Sequence, residues 1–508
     1  MGLDAALSIA SNSLANIQTR LSLVSNNVAN AATPDYTRET SSQENLVAGS
    51  VGMGVRGLGA ARAVDAALQQ SVFAQSTTVS GLKTTAAGLA GVDAVLGTPG
   101  QGSDLGGLLG KVQDAFSSLM LDPSNGPGQA AVVAAARGLT GGIGALSTAY
   151  TQQRQAAQDT IVSAVDRMNT RLSRVGSLSS QIVAARSAGQ SSADLENRRD
   201  TEIHALSDVL GIKTLAQPNG DMIVTTLSGT QLPTRAATGP VSTSNAVLGP
   251  EAYYPGGGLP PISVNGVDIA ARIQGGELGA AIALRDKTLP GFQAELDAFS
   301  FSLATRFDTQ GVTLFTDPSG AVPTGGGSPT QTGYVGFASI IQVNPAVEAN
   351  MTLIRDGTHD VAGSPAGPSA FTVNPAGGPA GFDRAIDRVL KFALGKEAQS
   401  GVPWPAEAAS GLGPGGTLSV SYAMPASLAD HAAVLVSAQA GVSAAASGQL
   451  ESEQAVQTVL TKTLADKSGV NMDKEMADMI QLQNAYGANA RIIGMVQSMF
   501  SQLLQAVQ

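Results

Sequence analysis

The two ends of the chain each carry a long apolar heptad pattern that contains almost no charge. In residues 3–31, apolar side chains recur at alternating intervals of four and three, until Pro34 ends the pattern. The segment 472–507 repeats this spacing. Asp4 and Arg20 are the only charged residues of the first pattern, whereas a self-sufficient coiled coil usually has charged flanking positions. We therefore expect each helix to need apolar partners on more than one side.

The heptad positions define a predicted assembly seam. An amphipathic core helix at each terminus is the ordinary interpretation of such a stripe. The uncharged flanks instead favour terminal segments that become ordered when many copies pack together. The predicted assembly seam comprises Leu7, Leu14, Ile17, Leu21, Val24, Val28, Met476, Met479, Tyr486, Ile493, Phe500 and Leu504. A second C-terminal stripe contains Leu482, Ile492, Val496, Met499 and Leu503.

Composition excludes several classes of protein. Only 13% of the 508 residues are charged, and the net charge of −10 offers no basic patch for nucleic acid. The chain has no cysteine, so it has neither disulfides nor a thiolate metal site. The first basic residue is Arg20, so we expect no cleaved signal peptide. We also expect no segment that is apolar enough to span a membrane.

Between the ends, the periodicity predicts long helices and then a β-rich region. The turn Asn219-Gly220 separates two apolar runs and predicts a hairpin over 212–227. Residues 311–426 are rich in Gly and Pro, and we expect them to form a loosely packed outer module that can be shortened without harm. The predicted helices span 60–97, 105–121, 129–188, 193–210, 277–309 with an interruption at Pro290-Gly291, 382–394 and 427–467.

The predicted fold class is α+β and multidomain, because helices leave a terminal domain, build an outer region and return. The predicted parts are a terminal coiled-coil core of 1–45 with 468–508, a long-helix bundle of 46–210 with 277–310 and 427–467, and a β-rich outer region of 211–276 with 311–426, inserted between outgoing and returning helices.

No motif in the sequence points to catalysis or to a cofactor. The segment Gly52–Gly57 matches G-x-G-x-x-G, but residues 70–82 lack the expected acid, so a flexible connector is favoured. In the charged stretch 194–204, Asp200 and His204 lie four residues apart, which would suit acid–base or metal chemistry. Ion pairs between helical turns explain this stretch better. We expect no catalytic, cofactor-binding or metal-binding residues and no enzyme activity.

The segment 25–38, SNNVANAATPDYTR, closely resembles the N-terminal signature of the flagellar axial proteins, the rod, hook and hook-associated family. That family usually has Gly where this chain has Asp35, and Asp also tolerates a turn. The segment 468–493 resembles the family's C-terminal signature, to which Glu475 belongs, as Arg38 does to the first. The remaining signature residues are Asn27, Asn30, Thr33, Pro34, Tyr36, Asn471, Gln483, Tyr486, Asn489 and Arg491.

Interior motifs such as Leu121-Asp122-Pro123 and Gly275–Gly279 resemble the hook-associated members in particular. This resemblance implies a structural component of the bacterial flagellum, in a layer between hook and filament, that self-assembles through its terminal helices. It implies type III export, an extracellular location and no cofactor. The implied partners are copies of the chain, hook protein, a second junction protein and an export chaperone, with no nucleic acid and no membrane insertion.

Two alternatives stay open at this point. The first is another axial protein, of hook or rod type. The predicted helices over 60–210 argue against hook protein, which is expected to be mainly β outside its terminal coil. The second is a secreted coiled-coil adhesin, or an enzyme carried on the flagellum. Residues 311–426 offer no nucleophile or ligand set for such an enzyme.

Overall fold

The computed structural model describes residues 3–48, 51–98, 100–235 and 239–506. The chain is about 58% helical with small strands, so the predicted α+β multidomain class is confirmed. The helices are α1 (Leu3–Ala29), α2 (Ala66–Leu96), α3 (Leu105–Leu121), α4 (Gly126–Ser187), α5 (Ala193–Val209), α6 (Gly276–Ala283), α7 (Leu289–Thr309), α8 (Pro345–Ala349), α9 (Leu353–Asp356), α10 (Arg384–Arg388), α11 (Leu428–Ser468) and α12 (Met472–Ala506).

The strands form small antiparallel sheets rather than one large sheet. They are β1 (Glu39–Ala48), β2 (Val51–Arg62), β3 (Ile212–Ala216), β4 (Met222–Thr226), β5 (Val241–Ser242), β6 (Ser263–Val264), β7 (Val267–Asp268), β8 (Phe315–Thr316), β9 (Gln342–Val343), β10 (Glu397–Gln399), β11 (Val402–Pro403), β12 (Ser410–Leu412) and β13 (Leu418–Ser419).

Helix α4 is the longest element, and it contributes to two separate hydrophobic cores. Its 62 residues make it roughly 93 Å long. It begins at the cap Asn125, whose side chain accepts from Gly128 N. The glycines near 138–144 do not interrupt it. A Cβ at Gly142 would lie 2.5 Å from Leu108 of α3, so this glycine lets α3 and α4 pack closely.

The larger core joins the bundle to the segment that we predicted to be loose. It combines α3, the first half of α4, α7 and the start of α11 with buried residues of the 311–394 range, among them Phe315 and Phe371. Phe371 contacts Arg388 by a cation–π interaction, with the guanidinium carbon 5.3 Å from the ring centroid. The prediction of a loosely packed module is therefore wrong. Gly and Pro set the turns of this segment, while its scattered aromatic residues form part of the core.

The second core lies around the other half of α4. Residues of α5, α6, β4 and the 232–273 segment pack there, with Ile161 and Leu172 of α4 fully buried. Residues 211–276 and 311–426 thus belong to different cores, although we assigned both to one outer region. The domain boundaries remain a prediction, but the two β-rich segments contribute to different hydrophobic cores.

A twisted hairpin connects α1 to the bundle. Strands β1 and β2 pair from Glu39–Arg62 to Ala48–Val51, and β2 packs along α1. The Gly52–Gly57 motif lies in β2, so the predicted connector is wrong. The predicted helix over 60–97 begins six residues late, because Asp65 caps α2 at Leu68 N.

Two predicted helices contain a wider turn. Before α7 the chain forms a π-helical turn over 284–288, in which Leu289 N–H reaches back to Leu284 O. Pro290 has no N–H for the ordinary helical bond, which explains the wider turn at this point. A second π-helical turn over 389–393 follows α10.

Among the described residues, part of α4 is long and apolar enough to cross a membrane by length and composition alone. This differs from our prediction that no segment meets that test. In the fold, 44% of that window is buried inside the protein. Packing in a core accounts for the apolar character of such a helix.

Candidate functional site

The two termini meet as an antiparallel helix pair. Asn27, near the end of α1, donates to Glu475, near the start of α12. Between them lies a small core in which Ile17, Val24 and Leu482 are buried. This pair is the place where the assembly seam and both signature segments come together.

The structure places the predicted seam residues unequally. On α1, Ile17 and Val24 are buried, and the other four predicted positions are half-buried. On α12, Met479, Ile493 and Phe500 are half-buried, whereas the other three predicted positions are exposed. The fully buried apolar residues of α12 are Leu482 and Val496, which we had placed in the second stripe. The exposed predicted positions are Met476, Tyr486 and Leu504.

Large apolar side chains are exposed at nine positions along α12, on more than one side of the helix. Exposure of single apolar residues is ordinary in a monomer, but so many along one helix mark an interaction surface. No charged residue occurs from Ile492 to the end of the chain. We call this set the free face of α12: Met472, Met476, Ile480, Tyr486, Ile492, Met495, Met499, Leu503 and Leu504.

Four side chains join the two helices in what we call the terminal cluster: Asn27, Tyr36, Arg38 and Glu475. Glu475 and Asn27 are both 0% exposed. Asn27 Nδ2 donates to Glu475 Oε2 at 3.2 Å, and Arg38 Nε donates to Glu475 Oε1. Tyr36 donates its hydroxyl to Asn27 Oδ1 at 3.1 Å. A buried carboxylate is tolerated only with such partners, so the cluster fixes the register of α12 against α1.

Asn27 also holds the first residue of the hairpin. Its Nδ2 donates to Glu39 O at 2.9 Å, and its Oδ1 accepts from Glu39 N at 3.0 Å. From the other side, Asn197 of α5 donates to Thr37 O at 3.0 Å and to Glu39 Oε1 at 3.3 Å. Burial, then the nearby Asp194 carboxylate, raises the pKa of Glu39. The terminal pair is thereby hydrogen-bonded to the bundle.

A buried ion-pair network fixes the same junction from β2. Arg62 Nε donates to Glu196 Oε2 at 3.1 Å, and its Nη1 donates to Asp200. Gln69 of α2 donates to the same Asp200 carboxylate at 3.0 Å. The predicted pairing within 194–204 is present only as a surface contact between Asp194 and Arg198 at 4.0 Å.

The possible acid–base pair Asp200 and His204 does not form. His204 Nδ1 instead lies 2.8 Å from Asp35 Oδ2, and its ring stacks on Phe73 with centroids 5.2 Å apart. Asp35 has a positive φ of 62°, a backbone conformation that residues other than glycine adopt at some cost in free energy. Burial lowers the pKa of His204, but the hydrogen bond and charge of Asp35, with Asp208, outweigh it and leave the pKa raised. The pair therefore holds the loop after α1 against α2 and α5.

The remaining signature residues either cap helices or lie at the surface. Asn471 Oδ1 accepts from Lys474 N at 3.0 Å at the start of α12. Asn30 and Asn489 each donate to a backbone carbonyl one turn earlier. Thr33 Oγ1 donates to Asn30 Oδ1 at 3.3 Å. The exposed members are Thr33, Pro34, Asn471, Gln483, Tyr486 and Arg491.

Two residues of the junction were missed by sequence reasoning. Glu39 and Arg62 begin and end the hairpin, and neither lies in a recognised signature. The sequence signal for these two residues was a charged residue at each end of a Gly-rich segment. That signal does not indicate which residues Glu39 and Arg62 contact. In the described ranges, no three His, Asp or Glu side chains are close enough to hold a metal ion.

The comparisons with known proteins point to one group. Residues 89–320 match the family described as the flagellar hook-associated protein FlgK helical domain. Residues 466–506 match the family described as the C-terminal part of the flagellar basal body rod FlgEFG proteins. The first range covers α3 to α7 of the bundle, and the second covers α12. Together the two ranges cover just over half of the chain.

Full-length relatives carry the same name. The chain is 24% identical to flagellar hook-associated protein 1 of Escherichia coli K12, over 96% of this chain and 97% of the relative. It is 25% identical to that of Bacillus subtilis 168, over 44% of this chain and 46% of the relative. The solved flagellar hook junction protein FlgK of Burkholderia pseudomallei aligns with a TM-score of 0.41 at 23% identity, over 50% of this chain and 45% of that one. The sequence matches, over both the bundle and the C-terminal helix, support the similarity of the chain to flagellar hook-associated protein 1.

Proposed function

We propose that this chain is a structural subunit of the bacterial flagellum, which forms the layer between hook and filament and assembles through α1 and α12. The similarity to flagellar hook-associated protein 1 supports the location. The observation that carries self-assembly is the free face of α12, which α1 leaves uncovered. The role is structural rather than catalytic, and the protein acts outside the cell after export without a cleaved signal peptide.

The free face has the chemistry of a subunit contact. Its Met, Ile and Leu side chains are repeated along a helix of 35 residues. Each such side chain contributes about 1.5–3 kcal/mol when it is fully buried. The absence of charge after Arg491 means that closely packed copies meet no electrostatic repulsion there. The same face would bury its apolar residues against neighbouring terminal helices in a tube.

The terminal cluster gives this face a fixed orientation. Because Glu475 is paired with Arg38 and Asn27, α12 cannot rotate about its axis without leaving a buried carboxylate unpaired. Every copy therefore presents the same side of α12. The proposed partners are copies of the chain, hook protein and the second junction protein, with an export chaperone before assembly.

Charges on the free face test the proposal. Met499→Glu and Leu503→Glu place charges on side chains that are 47% and 55% exposed. We expect monomer folding to be unchanged by circular dichroism and thermal melting, because no buried site is altered. We expect assembly to fail, because burying an unpaired charge between copies is very costly. Cells carrying either variant should secrete flagellin and have hooks without filaments.

The matched control is Gln481→Glu, a charge at an exposed polar position of the same helix. It should leave filaments normal. Normal filaments on Leu503→Glu cells would contradict assembly through the free face. Leu21→Asp, at the half-buried seam of α1, should also block assembly, but it should disturb the α1–α12 pair in the monomer as well.

A separate prediction concerns how well the terminal helices are ordered in an isolated monomer. The α1–α12 pair has few buried apolar residues for its length, namely Ala10, Ile17, Val24, Leu482 and Val496, so we expect rapid amide exchange there in a dilute monomer and protection in the assembly. Hydrogen exchange at Leu14 and Ile493 measures this. Strong protection of both amides in a confirmed monomer would show that the pair is stable without neighbours.

A further inference from the structure

A cleft of about 490 Å³ lies over one side of α7, away from the terminal helices. Its floor is the helix surface that carries Phe301 and Thr305. Three loops, around 326–334, 366–368 and 404–408, form its walls. Small-molecule sites typically have volumes of a few hundred Å³ and mostly apolar linings. This cleft has both properties, and nothing in the proposed function uses it.

Three aromatic side chains line this cleft, although only 4% of the chain's residues are aromatic. Trp404, the sole tryptophan of the protein, lines it and is fixed by a bond from its indole Nε1 to Phe392 O at 2.9 Å. Phe301 and Tyr334 line it as a stacked pair, with ring centroids 4.2 Å apart and planes 9° apart. Rigid aromatic faces bind flat apolar rings at a small entropic cost.

The two charges in the cleft pair with each other. Arg306 and Glu407 are the only charged residues of its described lining, and Arg306 Nη2 lies 3.3 Å from Glu407 Oε1. Arg306 also donates to Ala426 O at 2.9 Å, and its guanidinium carbon lies 5.1 Å from the centroid of the Trp404 ring. An anion would find no free counterion here and would lose its hydration. The cleft therefore favours a neutral occupant over an anion.

Polar groups of the lining are open to a ligand. Ser302 lines the cleft, and no described residue bonds to its hydroxyl, whereas Ser300 donates to Leu296 O at 2.7 Å, one turn earlier, as serines in helices commonly do. Glu407 Oε2, in the same lining, is buried and has no hydrogen-bond partner among the described residues. A hydroxyl or N–H group of a ligand can bond to these oxygens.

We infer that this cleft is a binding site for a small neutral compound with a flat aromatic body and one hydroxyl or N–H group, which stacks against Trp404 or the Phe301–Tyr334 pair and bonds to Ser302. The site is independent of the junction role. An apolar side chain from a second copy is the competing occupant, and the experiment separates the two.

The probe is 2-naphthol, with 2-naphthoate as an anion of the same shape. The purified full chain is titrated with each compound, and binding is followed by saturation-transfer NMR of the ligand and by Trp404 emission. We expect saturable binding of 2-naphthol and binding of 2-naphthoate that is at least about tenfold weaker, since the anion must be desolvated without a partner. No saturable binding of 2-naphthol would overturn the inference.

Two variants locate the site. Ser302→Ala should weaken 2-naphthol binding about fivefold, the value of one hydrogen bond, whereas Ser452→Ala, on the exposed side of α11, should not change it. Ala366→Phe adds a ring at an exposed wall position and should abolish binding, with an unchanged melting temperature as the check on folding. Equal affinity in Ala366→Phe and the parent, or Trp404 emission that changes with protein concentration alone, would also overturn the inference.

Discussion

The bundle and the terminal pair are both built from long helices, but they differ in how completely the apolar side chains of those helices are buried. The bundle surrounds α7 with helices and loops on all sides and buries one side of α4, so that Phe299, Phe307 and Leu139 are 0% exposed. The terminal pair joins two long helices along one line of contact and leaves the free face of α12 in solvent. One region completes its core within a single chain, and the other leaves apolar side chains exposed, which we propose that neighbouring copies cover.

The polar contacts also differ between the terminal pair and the bundle. In the terminal pair, the strongest contacts are the bonds of Glu475, which fix register at one end of the two helices. In the bundle, buried polar groups such as Asp297 accept bonds from Gln293 and from the backbone of Gly336 and Ala338. Buried hydrogen bonds therefore fix the packing in the interior of the bundle, whereas in the terminal pair they fix the register only where α1 ends and α12 begins.

Truncation of core residues should separate the two regions most clearly. Phe307→Ala removes a buried ring that contacts Phe116 and Phe315, and we expect a loss of about 3–5 kcal/mol of unfolding free energy. Leu482→Ala removes a buried side chain that packs on Ile17 and Val24 of α1, yet it should leave the main unfolding transition unchanged. Denaturant unfolding followed by far-UV circular dichroism measures both. An equal shift of that transition by Leu482→Ala would make the terminal pair part of the bundle's cooperative unit.

The second prediction concerns residues 357–381, the part richest in Gly and Pro of the 311–426 module that we expected from sequence to tolerate shortening. Phe371 is 6% exposed, packs on Arg388 and forms an isolated bridge with Val361. Phe371→Ala should therefore cost about 3 kcal/mol. The exposed neighbour Thr372→Ala should cost less than about 0.5 kcal/mol. If the two variants melt at the same temperature, this segment is peripheral after all.

Deletion of residues 357–381 should be more harmful than the point change, because it also removes Asn374, which bonds to Asp356. We now expect the deletion protein to be poorly folded. A deletion protein that is stable and secreted would restore the idea of a dispensable module.

The long helices were predictable because their pattern is local. Residues 105–121 were predicted with the bounds that α3 has, and α4 was predicted within three residues at its start. Hydrophobic periodicity over many turns overrides a few glycines when packing supports the helix. The sequence also contained the turn of the β3–β4 hairpin at Asn219-Gly220.

The hairpin β1–β2 and the terminal cluster could not be predicted in the same way. The sequence of β2, VGMGVRGLGAAR, has few β-branched residues and no regular alternation, so its pairing depends on β1 and α1. Arg62 and Asp200 lie 138 residues apart, a separation that no motif spacing can indicate. On α12, the two apolar stripes are offset by one residue at Leu482 and Gln483. Only the contact with α1 shows that Leu482, and not Gln483, lies in the buried position.

The third prediction uses pH to probe the bundle. Burial raises the pKa of Glu295 to about 7, although a hydrogen bond from Gln439 acts in the opposite direction. The folded state then binds a proton more tightly than the unfolded state. The stabilising contribution is present below about pH 4.5 and is lost as pH rises through 7, by about 3 kcal/mol in total.

The variant Glu295→Gln should remove this dependence. Asp297, whose pKa burial also raises to about 7, and His431, whose pKa burial lowers, remain in both proteins. The difference in unfolding free energy between parent and variant therefore isolates Glu295. It should grow in favour of the variant from pH 5 to pH 8. A constant difference across that range would mean that Glu295 titrates normally in the fold.

The smallest effect is expected where the terminal pair meets the bundle, at Asp35. Two terms oppose each other there. Glycine would relieve the cost of a positive φ, by about 1 kcal/mol, while any substitution removes the ion pair with His204. Asp35→Gly should therefore be nearly neutral, and Asp35→Ala, which loses the pair and keeps the backbone cost, should destabilise by about 1 kcal/mol.

The pH dependence separates the two terms at this position. Because the pKa of His204 is raised in the fold, the ion pair stabilises below about pH 6.5, and its contribution disappears as pH rises through the raised pKa. Asp35→Ala should thus be more destabilising at pH 6 than at pH 9, as measured by amide exchange of the loop after α1. The backbone term does not titrate, so the difference between Asp35→Ala and Asp35→Gly should be the same at both pH values. If Asp35→Ala is equally harmful at pH 6 and pH 9, the loop is held by its backbone conformation and by Asn27 rather than by charge.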